Sequence, residues 1–334
     1  MKRSVSFLLL FVALFVLTGQ VNPPSTYYLA KTGINTTCAA ARSVTTPAAT
    51  MEFAMNCMIG GDTLIARAGV YEERLHKAGL NGMFPSGSAI AWTTFKAYPG
   101  EEVWVRTIND DPWGAIFEFD GGSYIHIDGI NWDGYVSPTR IPFPEEYVML
   151  KINQNSHHIK VSNGKIKNLA DGWFSQNQGN DNELSGMKGG GYYKGSSYLS
   201  GGTGCEQATC WGYFAYWNGL RNKIIGNEVY DIPSWVVHLY CYSPAYCNRP
   251  TETLVKDNNF HDYGFGDSGR ASGILVASGD ANQVITNAVW NNMGYAAIDI
   301  GPTATNTIVQ GNTYVKPPAS APKPLLAPSG LSAN

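Results

Sequence analysis

Ile224-Ile225-Gly226-Asn227, Leu254-Val255-Lys256-Asp257-Asn258, Val284-Ile285-Thr286-Asn287 and Ile308-Val309-Gln310-Gly311-Asn312 are the stretches that decide the fold. Each sets a β-branched or apolar pair ahead of an Asn, and that Asn returns after 31, 29 and 25 residues. Between the later ones a second stretch recurs, as Gly273-Ile274-Leu275-Val276 and Ala297-Ile298-Asp299-Ile300. Short strands divided by Asn and Gly bends at such a period define a solenoid. The period is too short for a strand–helix–strand crossover and suits one turn of a β-helix.

Upstream, Tyr124-Ile125-His126-Ile127-Asp128-Gly129 and His158-Ile159-Lys160-Val161-Ser162-Asn163-Gly164 read the same way. In a parallel coil each strand pairs with its equivalent one turn away, roughly 4.8 Å along the axis, and alternate side chains point inward. Asn is expected to take the left-handed backbone of each corner, its amide hydrogen-bonding along the stack. Beyond about residue 60 no run of ten or more positions carries the apolar spacing of a helix. A sandwich or barrel of unrelated strands is the alternative that strand spacing alone leaves open.

Lys2 and Arg3 precede an apolar run from Phe7 to Leu17, followed by Thr18, Gly19 and Gln20. That run is too short for a bilayer span and has the form of a secretory signal, so residues 1–20 are expected to be a signal peptide. No second stretch is long and apolar enough to cross a membrane. The expected location is secreted, extracellular or periplasmic, without membrane insertion. Six cysteines in an exported chain favour disulfides. Proximity suggests Cys205 with Cys210 and Cys241 with Cys247, leaving Cys38 and Cys57, although many other connectivities are open. Ligand spacings for zinc are absent.

The formal charge of −3 and pI near 6.1 supply no basic footprint, which argues against nucleic acid as the main partner. The 19 Tyr and 9 Trp offer flat faces for sugar rings, and equally for a core.

Tyr27-Tyr28-Leu29-Ala30-Lys31-Thr32-Gly33, then Gly60-Gly61-Asp62-Thr63-Leu64-Ile65-Ala66-Arg67-Ala68-Gly69-Val70-Tyr71-Glu72-Glu73, resemble the opening of the right-handed parallel β-helix proteins of the pectate-lyase-like superfamily. The resemblance covers about residues 26–316. It implies an all-β right-handed parallel β-helix whose open end is closed by a short N-terminal capping helix, here Pro47 to Met58 with Ala48, Phe53, Ala54 and Cys57 on its apolar face. It is specific for fold and weak for activity, because lyases, epimerases, hydrolases and non-enzymes share this opening. The motif sets of polygalacturonases and pectin methylesterases are missing, and the basic signatures of the best-known pectate lyases are not recognisable.

Residues 171–222, rich in Gly, Ser, Asn and aromatics, are expected to leave the coil as a wall beside a groove, or alternatively as a packing flap over one face. Aligning Val237-His238-Leu239, Ile274-Leu275-Val276 and Ile298-Asp299-Ile300 stacks His238, Leu275 and Asp299 on the outside of one sheet, with Lys151 and Glu118 extending that face upstream. In β-helix lyases a Lys or Arg typically removes the proton α to a uronic carboxyl group while Ca2+ or a second basic group neutralises the carboxylate. The resemblance therefore makes Arg270, His238, His261 and Lys151 catalytic candidates. Asp299, Asp267 and Glu118 become candidate ligands for Ca2+, and Trp173, Tyr240, Trp211 and Tyr213 candidate sugar platforms. The Pro-rich residues 317–334 are expected to be a disordered tail. Two functions follow: a monomeric carbohydrate-active enzyme, lyase- or hydrolase-like, with a polysaccharide in the groove, or a non-catalytic glycan-binding surface protein.

Overall fold

The computed structural model describes residues 23–73, 75, 84–106, 116–134, 148–153, 155–169, 172–192, 212–241, 247–264 and 271–315. The expected signal peptide and the tail lie outside them, as do Cys205, Cys210, Trp211, Asp267 and Arg270. No helix among the described residues is long and apolar enough to cross a membrane.

The described strands form three parallel sheets, of 10, 8 and 7 strands. The first runs from Thr26–Leu29 to Ile308–Gln310, the second from Gly69–Glu72 to Ala288–Trp290, and the third from Phe117–Phe119 to Ala296–Thr305. From Thr93 onward the described strands visit first, second and third sheet in turn and then return to the first, one rung further on. Leu64, Phe95, Ile127, Val161, Leu184, Ile224, Val255 and Val284 share one inward position on successive rungs of the first sheet. All are 2% exposed or less. Inside the bore an aromatic file, Phe95, Phe117, Trp132, Phe174, Phe214 and Phe260, runs along the axis with neighbouring ring centroids 5.4 to 6.3 Å apart. Burying each ring contributes about 1.5–3 kcal/mol, and this file explains part of the aromatic content.

The corners differ from expectation in one respect. Asn227, Asn258, Asn287 and Asn312 do hydrogen-bond along the stack. The left-handed conformation, however, falls on the residue before each: Gly226, Asp257, Thr286 and Gly311, all with φ between 55° and 66°. The Asn side chain instead substitutes for backbone, as when the Asn258 carboxamide oxygen accepts from the Asn227 amide at 2.9 Å.

The expected excursion at 171–222 is corrected in part. Gly172–Gln176, Glu183–Ser185, Lys188–Tyr192 and Tyr213–Trp217 continue all three sheets in register. The connection 193–211 lies outside the described residues.

A helix spans Met51–Cys57, shorter than expected, with the Thr50 side chain accepting from the Phe53 amide at its start. The Glu73 carboxylate accepts from the Met51 and Glu52 amides, where the helix dipole favours negative charge. Ala48 lies before the helix and bridges Leu29, on the edge of the first strand opposite Thr63–Ala66. Met51, Ala54 and Met55 are buried; Phe53 and Cys57 are only partly so. Two of the expected disulfides are present, Cys38–Cys57 and Cys241–Cys247.

Candidate functional site on the third sheet

Pairing on the third sheet sets Glu118 beside Lys151, Lys151 beside Ser175, Ser175 beside Tyr216, Tyr216 beside His238, His238 beside Leu275 and Leu275 beside Asp299. The flanking residues Phe117, Phe119, Leu150, Ile152, Val237, Leu239, Ile274 and Val276 are buried. The alternation of a strand therefore turns this column outward. The register of His238, Leu275 and Asp299 matches the one expected from sequence. Ser175 and Tyr216, between Lys151 and His238, were not anticipated.

His238 is the most unusual member. Its imidazole lies between the Trp235 ring, at 4.6 Å, and the Tyr240 ring, at 5.2 Å and 10° from parallel. Tyr216 meets it edge-on at 5.0 Å. The residue is 7% exposed, and its Nδ1 is buried with no hydrogen-bond partner among the described residues. Burial disfavours the imidazolium and pulls the pKa down to about 4, so the ring is neutral across the physiological range. Two rungs upstream of Tyr216, Lys151 is half-buried and makes no ion pair or hydrogen bond among the described residues. Glu118, beside it, accepts from the Asn153 amide nitrogen at 2.6 Å.

Other expected site residues fall elsewhere. His261 is on the second sheet, not beside His238, and its Nδ1 meets the Asp262 carboxylate at 2.7 Å. Trp173 is fully buried against Phe214, and Tyr213 is 4% exposed with its ring over Gly172. Neither presents a face to a sugar. Tyr240 is half-exposed, beside His238. Asp299 and Glu118 stand at opposite ends of the column, six rungs apart. At roughly 4.8 Å per rung that is about 29 Å, so they do not fit one shared Ca2+. No cluster of three or more His, Cys, Asp or Glu suited to a metal occurs among the described residues.

Among solved structures, a rhamnogalacturonan lyase is similar at a TM-score of 0.58 and 14% identity, over 87% of this chain and 74% of that one. The lacto-N-biosidase from Eubacterium ramulus is similar at 0.59 and 14%, over 87% of this chain and 56% of that one, so this chain spans little more than half its length. A pectate lyase matches at 0.46 and 12%, over 90% of this chain and 80% of that one. No family model matches the chain, and no curated protein matches it in sequence. At these identities the likeness is one of fold. With its three parallel sheets, the chain has the fold of a right-handed parallel β-helix.

Proposed function

We propose that the chain is an exported carbohydrate-active enzyme that holds an acidic polysaccharide along the outer face of the third sheet and cleaves it by elimination. The observation that carries this reading is the column Lys151, Ser175, Tyr216 and His238, which sets an uncommitted ammonium, a phenol and a neutral imidazole on one face. In such a reaction a base takes the proton α to a uronic carboxyl group, the glycosidic oxygen at the β carbon leaves, and a C=C bond forms. The carbon acid is weak, so the carboxylate must be neutralised as the proton departs. Lys151 supplies that charge. The neutral His238 imidazole is the group placed to accept the proton, while the Tyr216 phenol at its edge gives its own proton to the leaving oxygen and regains one from His238. Glu118 and Asp299 stand too far apart to share a Ca2+, and no step is routed through one.

The lyase and glycosidase among the fold neighbours support a carbohydrate substrate, and the disulfides support an oxidising, extracytoplasmic compartment. The helix Met51–Cys57, packed on the first strand, would close the bore at its N-terminal end.

The test is to incubate the purified protein with acidic and neutral polysaccharides, following ultraviolet absorbance for unsaturated uronic products and reducing ends for hydrolysis. Absorbance should rise with an acidic polymer, and Lys151→Met and Tyr216→Phe should each lower the rate at least a hundredfold, the scale of one acid–base or charge-stabilising group, about 10²–10⁴. Reducing ends without absorbance would replace elimination by hydrolysis. A second reading, glycan binding without cleavage, draws on Tyr240 and Leu275, part-exposed apolar side chains on the face. Retention on one polymer with no product would favour it.

A further inference from the structure

The outer face of the second sheet also carries an ordered column. Glu72, Arg106, Asp133, Lys167, Gly190, Tyr230, His261 and Trp290 occupy one position on successive rungs. Its downstream end is a continuous ring stack. Tyr230 and His261 lie 5.2 Å apart at 17°, and His261 and Trp290 4.6 Å apart at 1°. The Asp262 carboxylate on His261 Nδ1 fixes the middle ring.

The upstream face of Tyr230 looks back over a rung with no side chain. A Cβ on Gly190 would fall 1.8 Å from the Tyr230 carbonyl oxygen and 3.1 Å from its Cδ2, so that rung is held empty by sterics. Beyond it stands Lys167, its Nζ 3.9 Å from the Trp104 ring centroid and 3.5 Å from Asp133. Tyr230 is 37% exposed and the Lys167 side chain 44%, so the gap opens to solvent. An aromatic ring and a lysine side chain thus flank a backbone floor on rungs two apart, about 9.6 Å at the backbone, with the ammonium at rest turned upstream to Trp104 and Asp133. That width admits one flat ring against the tyrosine.

We infer that this gap is a second saccharide subsite, distinct from the third-sheet face, that takes a pyranose of an acidic polysaccharide. The apolar face of the sugar lies on Tyr230 and its carboxylate points to Lys167. A pyranose has this amphipathic form, with C–H bonds on its face and polar groups at its rim. Stacking on an aromatic ring and a charge-assisted contact to an exposed ammonium are each modest alone and selective together. The subsite would hold a long polymer against the protein without touching the bond being broken.

Gel retardation of the full chain in polygalacturonate, alginate and neutral xylan tests this. Tyr230→Ala should weaken binding to an acidic polymer about tenfold, the loss of one ring contact. Tyr230→Phe should bind as wild type. Lys167→Met should weaken acidic binding severalfold and leave xylan unchanged. Lys151→Met, altered on the other face, should lose product formation, and in that background Tyr230→Ala should still weaken retardation about tenfold, which separates failure of this subsite from failure of the catalytic reading. If Tyr230→Ala retains its melting temperature and binds the acidic polymers as wild type does, or if none of them retards the wild-type protein, the inference is overturned.

Discussion

The His238 imidazole lies 5.2 Å from the Tyr240 ring and 10° from parallel to it, a stacked pair at one rung of the outer column. Such a pair contributes about 0.5–1.5 kcal/mol beyond the area it buries. Its larger effect is to keep water from a histidine whose pKa is drawn down from 6.5 to about 4. The unfolded chain takes up a proton near pH 6.5 that the folded chain refuses until about pH 4. Stability should therefore fall as pH drops through that window and level off below it. The loss from this one group is about 3 kcal/mol. Urea unfolding between pH 7 and 4 should show it, and His238→Phe, which keeps a ring in the stack, should remove that part of the slope.

Cys241 follows Tyr240 directly and is bonded to Cys247. Its amide also donates to the Ser278 hydroxyl at 3.1 Å. The backbone beneath the stacked tyrosine is thus anchored on both counts. Replacing both cysteines by serine should loosen Tyr240, admit water to His238 and move its titration midpoint from about 4 toward 6.5. An NMR titration of the imidazole reads this, and a midpoint still near 4 would show that Trp235 and Tyr216 alone exclude the solvent.

On the second sheet, Asp133 is 1% exposed at its side chain and accepts from Arg106 at 2.6 Å and from Asn168 at 2.8 Å. Burial raises its pKa, the Asn168 and Arg106 hydrogen bonds outweigh that, and the net shift is downward. This carboxylate stabilises the fold above its usual range and ceases to as the pH falls through its folded value. Asp133→Asn should destabilise by about 2 kcal/mol at pH 7, since Arg106 keeps Glu72 at 3.0 Å. Glu72→Gln, on a side chain 53% exposed, should cost less than about 0.5 kcal/mol. Comparable losses would mean the ladder is held from its exposed end.

The register of the candidate site was legible where aliphatic residues bracket a lone outward position. Val237 and Leu239 around His238, Ile274 and Val276 around Leu275, and Ile298 and Ile300 around Asp299 give an unambiguous period of two. It was illegible at Trp173-Phe174-Ser175-Gln176 and Phe214-Ala215-Tyr216-Trp217, where polarity does not alternate. Gln176 points inward and donates to the Gly179 carbonyl at 2.7 Å, while Trp173, read as a surface platform, is buried. A polar residue satisfied inside and an aromatic outside reverse the usual signal. The corners were half legible. The Asn period gave the stack, but with Asp257 and Thr286 as well as Gly226 and Gly311 in the left-handed position, residue type did not mark which residue turns.

That stack yields a graded prediction. The Asn258 side chain accepts from the Asn227 amide and carboxamide, each at 2.9 Å, and donates to the Ile224 carbonyl at 2.9 Å and to Asn287 Oδ1 at 2.8 Å. The residue is 2% exposed, so no water replaces these bonds when they are lost. Asn258→Ala should cost about 2–4 kcal/mol, chiefly through the buried donors left behind. Asn258→Asp should cost more, because it sets a buried charge against the Asn287 oxygen it must otherwise donate to. Asn312, part-buried at the end of the stack, accepts from Asn287 and donates to the Val284 carbonyl. Water reaches that end, so Asn312→Ala should cost only about 1 kcal/mol. Urea midpoints at constant m-value should therefore fall in the order Asn312→Ala, Asn258→Ala, Asn258→Asp. Equal losses at positions 258 and 312 would show that burial of the corner does not set the strength of the ladder.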